Sequence, residues 1–551
     1  MLHIRWQALI TLLGVVILGT LLGYLAFSIS TLEQPDYGGT YVEGVAGQPN
    51  AINPLFSQYN PVDRDIAGLV FDGLTRVDEN GAIQPDLARK WEMSPDGLVY
   101  TFTLRSEIRW SDGAPVSADD VLYTIQTLQS SDYPGLSYIS DLWRTVAITA
   151  VNPSAVRIQL SEPFAPFLDY TTIGLLPSHL LKDVSAADLP QAPFNRQPVG
   201  TGPFVLDQLT ADHATLSPNP RYSGPRPYLG NLVLRFYPNA ESLVAAYGRG
   251  EIEGISQVLP GNVAAIRSNP ALKLYNARLS GYSLVFLNLD KPQFKEKEVR
   301  QALSYALDRQ GLIDDVLHGL GMPAYGPLLS NSWAYDAELK KQEYAPDKAR
   351  ALLDAAGWKD TNGDGMREKG QDALGFTLLT NSEDETRVQL AEEIARSWSA
   401  IGAKVEVKAV PASALVQDAL RPRDFDAVLY GLGPLPADPD PYSLWNSTQT
   451  PGQTDAGQNY SGWKNAEVDA LLEEARRSTD RDHRAELYRQ FQEIFVDQVP
   501  ALVLYYPVYT YAVDARIHGI QLSPMLDQSQ RFSSIAQWYL KTKRVIVSEA
   551  R

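Results

Sequence analysis

The 551-residue chain has no cysteine. That absence excludes a disulfide framework, thiolate metal sites, a cysteine nucleophile and the lipid-modified cysteine that ties many bacterial surface proteins to a membrane. Any anchor must be the polypeptide itself. Positive charge is also scarce, with 48 Lys and Arg against 65 Asp and Glu and a net charge of −17. Without a basic run interleaved with aromatics, a phosphate-tracking surface has no source of counter-charge, so no nucleic-acid partner is expected and the acidity reads as solubility and self-repulsion. Histidine is sparse: His179, His213, His318, His483 and His518 show no i, i+4 or HExxH spacing, which leaves a protein-only nickel or zinc site without a ligand set. Catalytic sets are incomplete. Ser461-Gly462-Trp463-Lys464 matches the S-x-x-K of serine acyltransferases, but no S-D-N accompanies it and only Lys541-Thr542-Lys543 approaches K-T-G. Gly431-Leu432-Gly433 is not followed by a helical pattern, so no dinucleotide loop is read. Neither an enzyme nor a bound cofactor is expected.

Charge is missing from one segment altogether. Ala8 to Ile29 contains no Asp, Glu, Lys or Arg and has the ~20-residue length a bilayer helix needs. His3 and Arg5 precede it, Glu33 and Asp36 follow, and no Lys or Arg recurs until Arg64. The positive-inside bias then keeps the N-terminus cytoplasmic and sends the rest outward. Cleavage near Ala26-Phe27-Ser28 is the alternative, but the apolar run exceeds the ~7–15-residue core of a signal peptide. The expectation is a retained signal-anchor over 1–30, single-pass in the cell membrane, a linker over 31–39, and an extracytoplasmic body.

That body reads as α/β. Thr40–Val45 reads as a strand ended by the turn Gly47-Gln48-Pro49-Asn50. Val99–Leu104 alternates with period two between Asp96-Gly97 and Asp112-Gly113, and Ser117-Ala118-Asp119-Asp120 carries capping-box spacing ahead of a helix. From Glu296 helices alternate with strands: apolar residues recur at helical spacing from Val299 to Leu317, with His318-Gly319 as a stop. Val388–Ile401 repeats the pattern, Gly402 ends it and Val405–Val410 follows as a strand. Phe425–Tyr430 is a continuous apolar strand feeding the Pro- and Gly-rich loop GLGPLPADPDP, and Ala501–Val513 is an aromatic-rich strand.

These features, in order, resemble the extracytoplasmic solute-binding proteins for oligopeptides, dipeptides and nickel. The resemblance rests on Phe71-Asp72-Gly73-Leu74, Pro85-Asp86-Leu87-Ala88, Trp91, Tyr100–Arg105, Trp110-Ser111-Asp112-Gly113, Gly200-Thr201-Gly202-Pro203-Phe204 and Val299-Arg300-Gln301-Ala302-Leu303, and covers nearly everything after residue 40. It implies a two-lobed periplasmic-binding-protein-like fold, type II, enlarged by a subdomain. Lobe I would comprise 40–63 with 200–285 and 512–551, the subdomain 64–199, and lobe II 286–511. It implies a monomer that shuts on a small solute, a peptide in this reading, and hands it to the permease subunits of an ABC importer. An oligosaccharide binder of the same fold and a membrane-anchored ligand sensor are the alternatives.

Candidate ligand-binding residues are Gln48 and Asn50 in the first turn, Tyr282, Tyr430, Trp445 and Tyr506 as aromatic walls with orientable polar tips, and Leu432, Pro434 and Asp438 in the loop. In similar peptide binders that loop places an Asp against the ligand α-amino group. Here the acid-Pro pair Asp440-Pro441 puts Ala437 at that place, with Asp438 beside it. Asp360, Asn362, Asp364 and Gly365 open a calcium-loop pattern, but its twelfth position is Gln371, so an Asx-rich turn is expected there. No metal site is assigned.

Overall fold

The computed structural model describes residues 2–78, 81–135, 137–436, 438–454 and 457–546. It opens on the helix Leu2–Ser30, whose Leu9, Ile10, Leu12 and Leu13 side chains are exposed. Among the described residues no helix is long and apolar enough to cross a membrane, so the expected single-pass span is not established by the fold. The expected linker is largely a strand: Thr31–Asp36 pairs antiparallel with Lys541–Ile546. A partner at the far end of the chain leaves no local trace, which is why composition alone reads these residues as a linker.

A two-lobed α/β architecture is organised around one long strand, Ala501–Asp514. Its first part pairs with Tyr282–Leu287, running from Ala501 opposite Phe286 to Tyr505 opposite Ser283. Its second part, from Val508, pairs with Leu272–Arg278. On the near side the sheet continues through Ala427–Leu432, Gly375–Asn381 and Lys404–Val410. On the far side it continues through Gly254–Ile255, Thr40–Ala46, Asn231–Tyr237, His213–Pro218 and Phe204–Leu209. The chain passes between the halves at Leu279-Ser280-Gly281 and again at Pro507-Val508, and Leu279 N donates to Pro507 O at 3.0 Å. Two adjacent single-strand crossings make a hinge.

Period-two alternation explains why Tyr282–Leu287 is buried at every position. Leu284 and Phe286 enter one hydrophobic core, with Trp445, Phe491 and Tyr506, while Val285 and Leu287 enter another on the opposite face, with Leu303, Ile394 and Trp398. The helix Glu385–Ser399 supplies that second core from Leu390, Ala391, Ile394 and Trp398, the spacing of one helical face. The expected helix over 299–317 divides into Lys297–Tyr305 and Arg309–Asp315. Asp308 interrupts it: its carboxylate accepts from Gly311 N at 2.9 Å and caps the second segment.

Residues 88–159 build a four-stranded antiparallel sheet in which Val99–Leu104 buries Tyr100, Phe102 and Leu104. Ser117 N donates to Asp120 Oδ2 at 2.8 Å, completing one arm of the capping box that starts Ala118–Gln129. Gly200 and Gly202 explain the GTGPF string: a Cβ would stand 1.9 Å from Val70 O at the first and 2.5 Å from Leu69 O at the second.

Candidate functional site

A cavity of about 180 Å³ lies between the halves, with Ser280 and Tyr282 of the hinge at its floor. One wall comes from the Pro-rich loop, through Leu435, Pro436, Pro439 and Asp440. That loop leaves the strand Ala427–Leu432 through a cis Gly433–Pro434 bond and is stitched to the hinge where Leu435 N donates to Ser280 O at 2.7 Å. Leu328, Leu329 and Trp333 form a second wall, and Val77, Ala82, Pro524 and Leu526 face them from the other half. Prolines and leucines make up about half of the lining, a rigid apolar surface interrupted by the polar side chains of Ser280, Asn331, Ser332, Asp440, Arg481 and Gln530.

The two halves touch at the cavity's mouth. Asp438 N donates to Asp169 Oδ2 at 3.2 Å, Arg476 lies 4.9 Å from the centre of the Phe164 ring, and Arg477 approaches Glu162 at 3.7 Å. The acids here carry their own cations. Asp438 takes a two-pronged contact from Arg484, at 2.8 and 2.6 Å. Asp440 lies 3.1 Å from Arg476; burial pushes its carboxyl up, and Arg476 draws it back. Such bidentate or close pairing leaves neither acid free for a solute ammonium.

Residues 82–454 match the bacterial extracellular solute-binding proteins, family 5 middle region. The oligopeptide-binding protein AppA of Bacillus subtilis is 33% identical over 516 residues, covering 92% of both chains. The chain is a family 5 extracellular solute-binding protein. The solved structure of the Bacillus AppA in complex with a nonapeptide superposes with a TM-score of 0.74 at 30% identity, covering 92% of this chain and all of that one. NikZ from Campylobacter jejuni, solved in complex with Ni(L-His), gives 0.76 at 29% identity, covering 91% of this chain and 99% of that one. Members of this family are transport binding proteins of peptide/nickel ABC systems, not enzymes.

In this family 5 protein the residues read from sequence are spread over several places. Tyr282 lines the cavity; its Oη is buried without a hydrogen-bond partner among the described residues, as is Trp445 Nε1. Burial pushes the Tyr282 phenol well up, so it stays a neutral donor. Trp445 packs in the core of its lobe, its ring 4.8 Å from Phe495. Tyr506 supports the second wall from behind, donating to Leu328 O at 2.7 Å. Tyr430 packs near Phe286, Leu432 pairs with Tyr282, and Pro434 follows the cis bond. Gln48 and Asn50 are exposed and outside the cavity's lining: Gln48 Nε2 donates to Ala211 O at 3.3 Å, and Asn50 N donates to Asp63 at 2.7 Å. Ala437 lies outside the described residues.

Sequence reasoning missed Trp333 and Arg481 at the site. Each stands in a segment without a motif and reaches the cleft only through tertiary packing. Elsewhere, Asp360 and Asp364 converge with Glu368, the ninth loop position, rather than with Gln371, on an exposed turn where Asn362 Nδ2 donates to Glu368 at 2.9 Å. Ser461 is fully buried while Lys464 is exposed, so the S-x-x-K string presents no nucleophile to a substrate.

Proposed function

We propose that the chain captures a peptide outside the cytoplasmic membrane by closing two halves around it, and passes it to the permease of an ABC importer. The observation that carries this reading is a cavity whose floor is the hinge and whose walls come from both halves. A solute there touches both sides, so it stabilises the closed arrangement and not the open one. Apolar Pro and Leu walls accept varied side chains, and the likeness to AppA, solved with a nonapeptide, supports peptide as the cargo. Isothermal titration of the full chain with di- to nonapeptides tests it: binding with a negative heat-capacity change is expected, and failure of every peptide redirects the reading to other organic solutes.

The division into lobes goes with this proposal. The expected divisions at 285/286 and 511/512 move to the two crossings: lobe I comprises 40–63, 200–278 and 509–546, the subdomain 64–199, and lobe II 282–506, with 279–281 and 507–508 as the moving joints. We further propose that residues 1–30 are retained as a single-pass anchor and that the protein acts as a monomer. The absence of charge between Ala8 and Ile29 in the sequence supports the anchor. Resistance to alkaline extraction together with an uncut intact mass is the expected result, and a mass short of the first ~28 residues overturns it. Light scattering of the detergent-solubilised chain tests the monomer.

A further inference from the structure

We infer that the subdomain, residues 64–199, is a latch: it holds lobe II in the closed arrangement through contacts that no solute touches, and so scales the affinity for every solute by one common factor. This rests on the two-half closure proposed above, whatever the solute. The hinge joins the halves at the floor of the cavity; at its mouth the subdomain meets lobe II beside the C-terminal end of the helix Ala466–Arg477. Arg476 is the centre of this seam. Its guanidinium lies 4.9 Å from the centre of the Phe164 ring of the subdomain and 4.3 Å from that of Tyr442 in lobe II, and its Nε stands 3.1 Å from Asp440. Beside it Asp438 N donates to Asp169 Oδ2 at 3.2 Å. The tight turn at Gly97 also reaches lobe II: a Cβ on the glycine would stand 3.1 Å from Thr479 Cγ2. Arg477 adds an exposed pair with Glu162 at 3.7 Å, worth little in water.

What opening breaks decides what the seam can do. Arg476 keeps Tyr442 and Asp440, and Arg484 keeps both oxygens of Asp438, because all of these belong to lobe II. Only the ring face of Phe164 and the carboxylate of Asp169 are given up, so opening strands no buried ion pair and the large cost of an abandoned charge does not arise. A cation on a ring face and one charge-assisted hydrogen bond are strong enough to bias a two-state equilibrium and weak enough to be broken in each round of capture and release. Of the residues in the seam Asp440 alone lines the cavity, and it stays with lobe II. A solute therefore gains from the seam only through the fraction of the chain that is closed, a factor that multiplies every affinity alike.

The test exploits the absence of cysteine. Met93→Cys and Asp482→Cys, both exposed and on opposite sides of the seam, take one spin label each, and the distance between the labels is measured in the full chain without solute after exhaustive dialysis. A short-distance, closed population is expected in the otherwise unaltered chain. Phe164→Leu keeps an apolar side chain but removes the ring face, and Gly97→Asn suits the φ of +70° while wedging a side chain against Thr479. Each should shift the population towards the longer distance. In the same variants without labels, calorimetry should show Kd weakened ~3- to ~10-fold, the order of one desolvated ring–cation contact, by the same factor for every peptide that the unaltered chain binds. Damage to the fold would instead lower the binding stoichiometry, and the variant at the other contact then decides. No closed population in the solute-free unaltered chain, an unchanged distance distribution in both variants, or a weakening that differs among peptides by more than ~3-fold overturns the inference. If no peptide binds, the peptide reading alone falls and the distances decide the latch.

Discussion

Arg531 in lobe I and Arg278 at the hinge are both withdrawn from solvent, yet the fold treats their charges in opposite ways. Arg531 is fully buried between Glu43 at 2.7 Å and Asp65 at 2.5 Å, and Glu43 also accepts from the hydroxyls of Tyr41 and Tyr511. Burial alone would disfavour its charge, but Asp65 and Glu43 outweigh burial and hold the guanidinium well above its usual range. Among the described residues the Arg278 guanidinium meets a serine hydroxyl and no carboxylate. The contrast is between a buried charge enclosed with its counter-ions and a half-buried one without them; Arg300 and Arg309 are a third case, buried guanidiniums held by backbone carbonyls.

The comparison breaks most visibly at Arg531. Arg531→Met strands Glu43 and Asp65 in a core, and a loss of about 3–5 kcal/mol is expected in urea unfolding; a loss under about 1 kcal/mol would mean that water reaches the network. At the cleft mouth, Asp438→Asn leaves the buried Arg484 without its acid and should cost about 1–3 kcal/mol. Peptide Kd should meanwhile stay within ~3-fold, because Asp438 serves Arg484 and not the solute; a ~100-fold loss would restore it as an ammonium anchor.

A pH-dependent effect is expected from a pair of acids in the subdomain and its junction. Burial raises the Asp72 carboxyl to about 6, against Thr201 and Arg76, and burial with the neighbouring Asp72 charge raises Asp86 to about 8, against Arg76 and Arg105. Both folded values lie above those of the unfolded chain, so the folded state holds protons that the unfolded state releases. The resulting stability is complete below about pH 4 and is lost as pH rises through about 6 and then about 8. Asp86→Asn should flatten the upper part of this decline, read as unfolding midpoints from pH 5 to 9. An unchanged slope would show that Asp86 titrates in water.

Much of this was legible in the sequence because it is local. The alternation in Val99–Leu104, the Ser117–Asp120 capping box and the single-face spacing of Leu390, Ala391, Ile394 and Trp398 each depend on residues within one turn or strand, and the structure shows each. The Pro-rich loop and Tyr282, read as candidate ligand-binding residues, both line the cavity. What stayed hidden depends on pairing across the chain. Thr31–Asp36 becomes a strand only because Lys541–Ile546 lies beside it, and Asp438 looks like a free acid until Arg484 is brought against it. Trp445 and Tyr506 read as pocket walls by composition; in the fold Trp445 packs on Phe495 and Tyr506 holds the Leu328 carbonyl behind the second wall. Gln48 and Asn50 were singled out by their turn, and the turn serves Ala211 and Asp63 instead.

The smallest stability change is expected at Arg278, and its smallness is the informative part. In Arg531 the side chain is a counter-ion, so deleting it exposes two acids to an apolar core; in Arg278 it has no acid to abandon. Arg278→Gln removes an idle buried donor and a partly desolvated charge while a shorter amide remains to reach for Ser330. The expected change without ligand is within about 0.5 kcal/mol of zero, or a slight gain. A loss of about 2 kcal/mol in the unliganded protein would make Arg278 part of the scaffold, on the same footing as Arg531, and would remove the contrast between the two arginines.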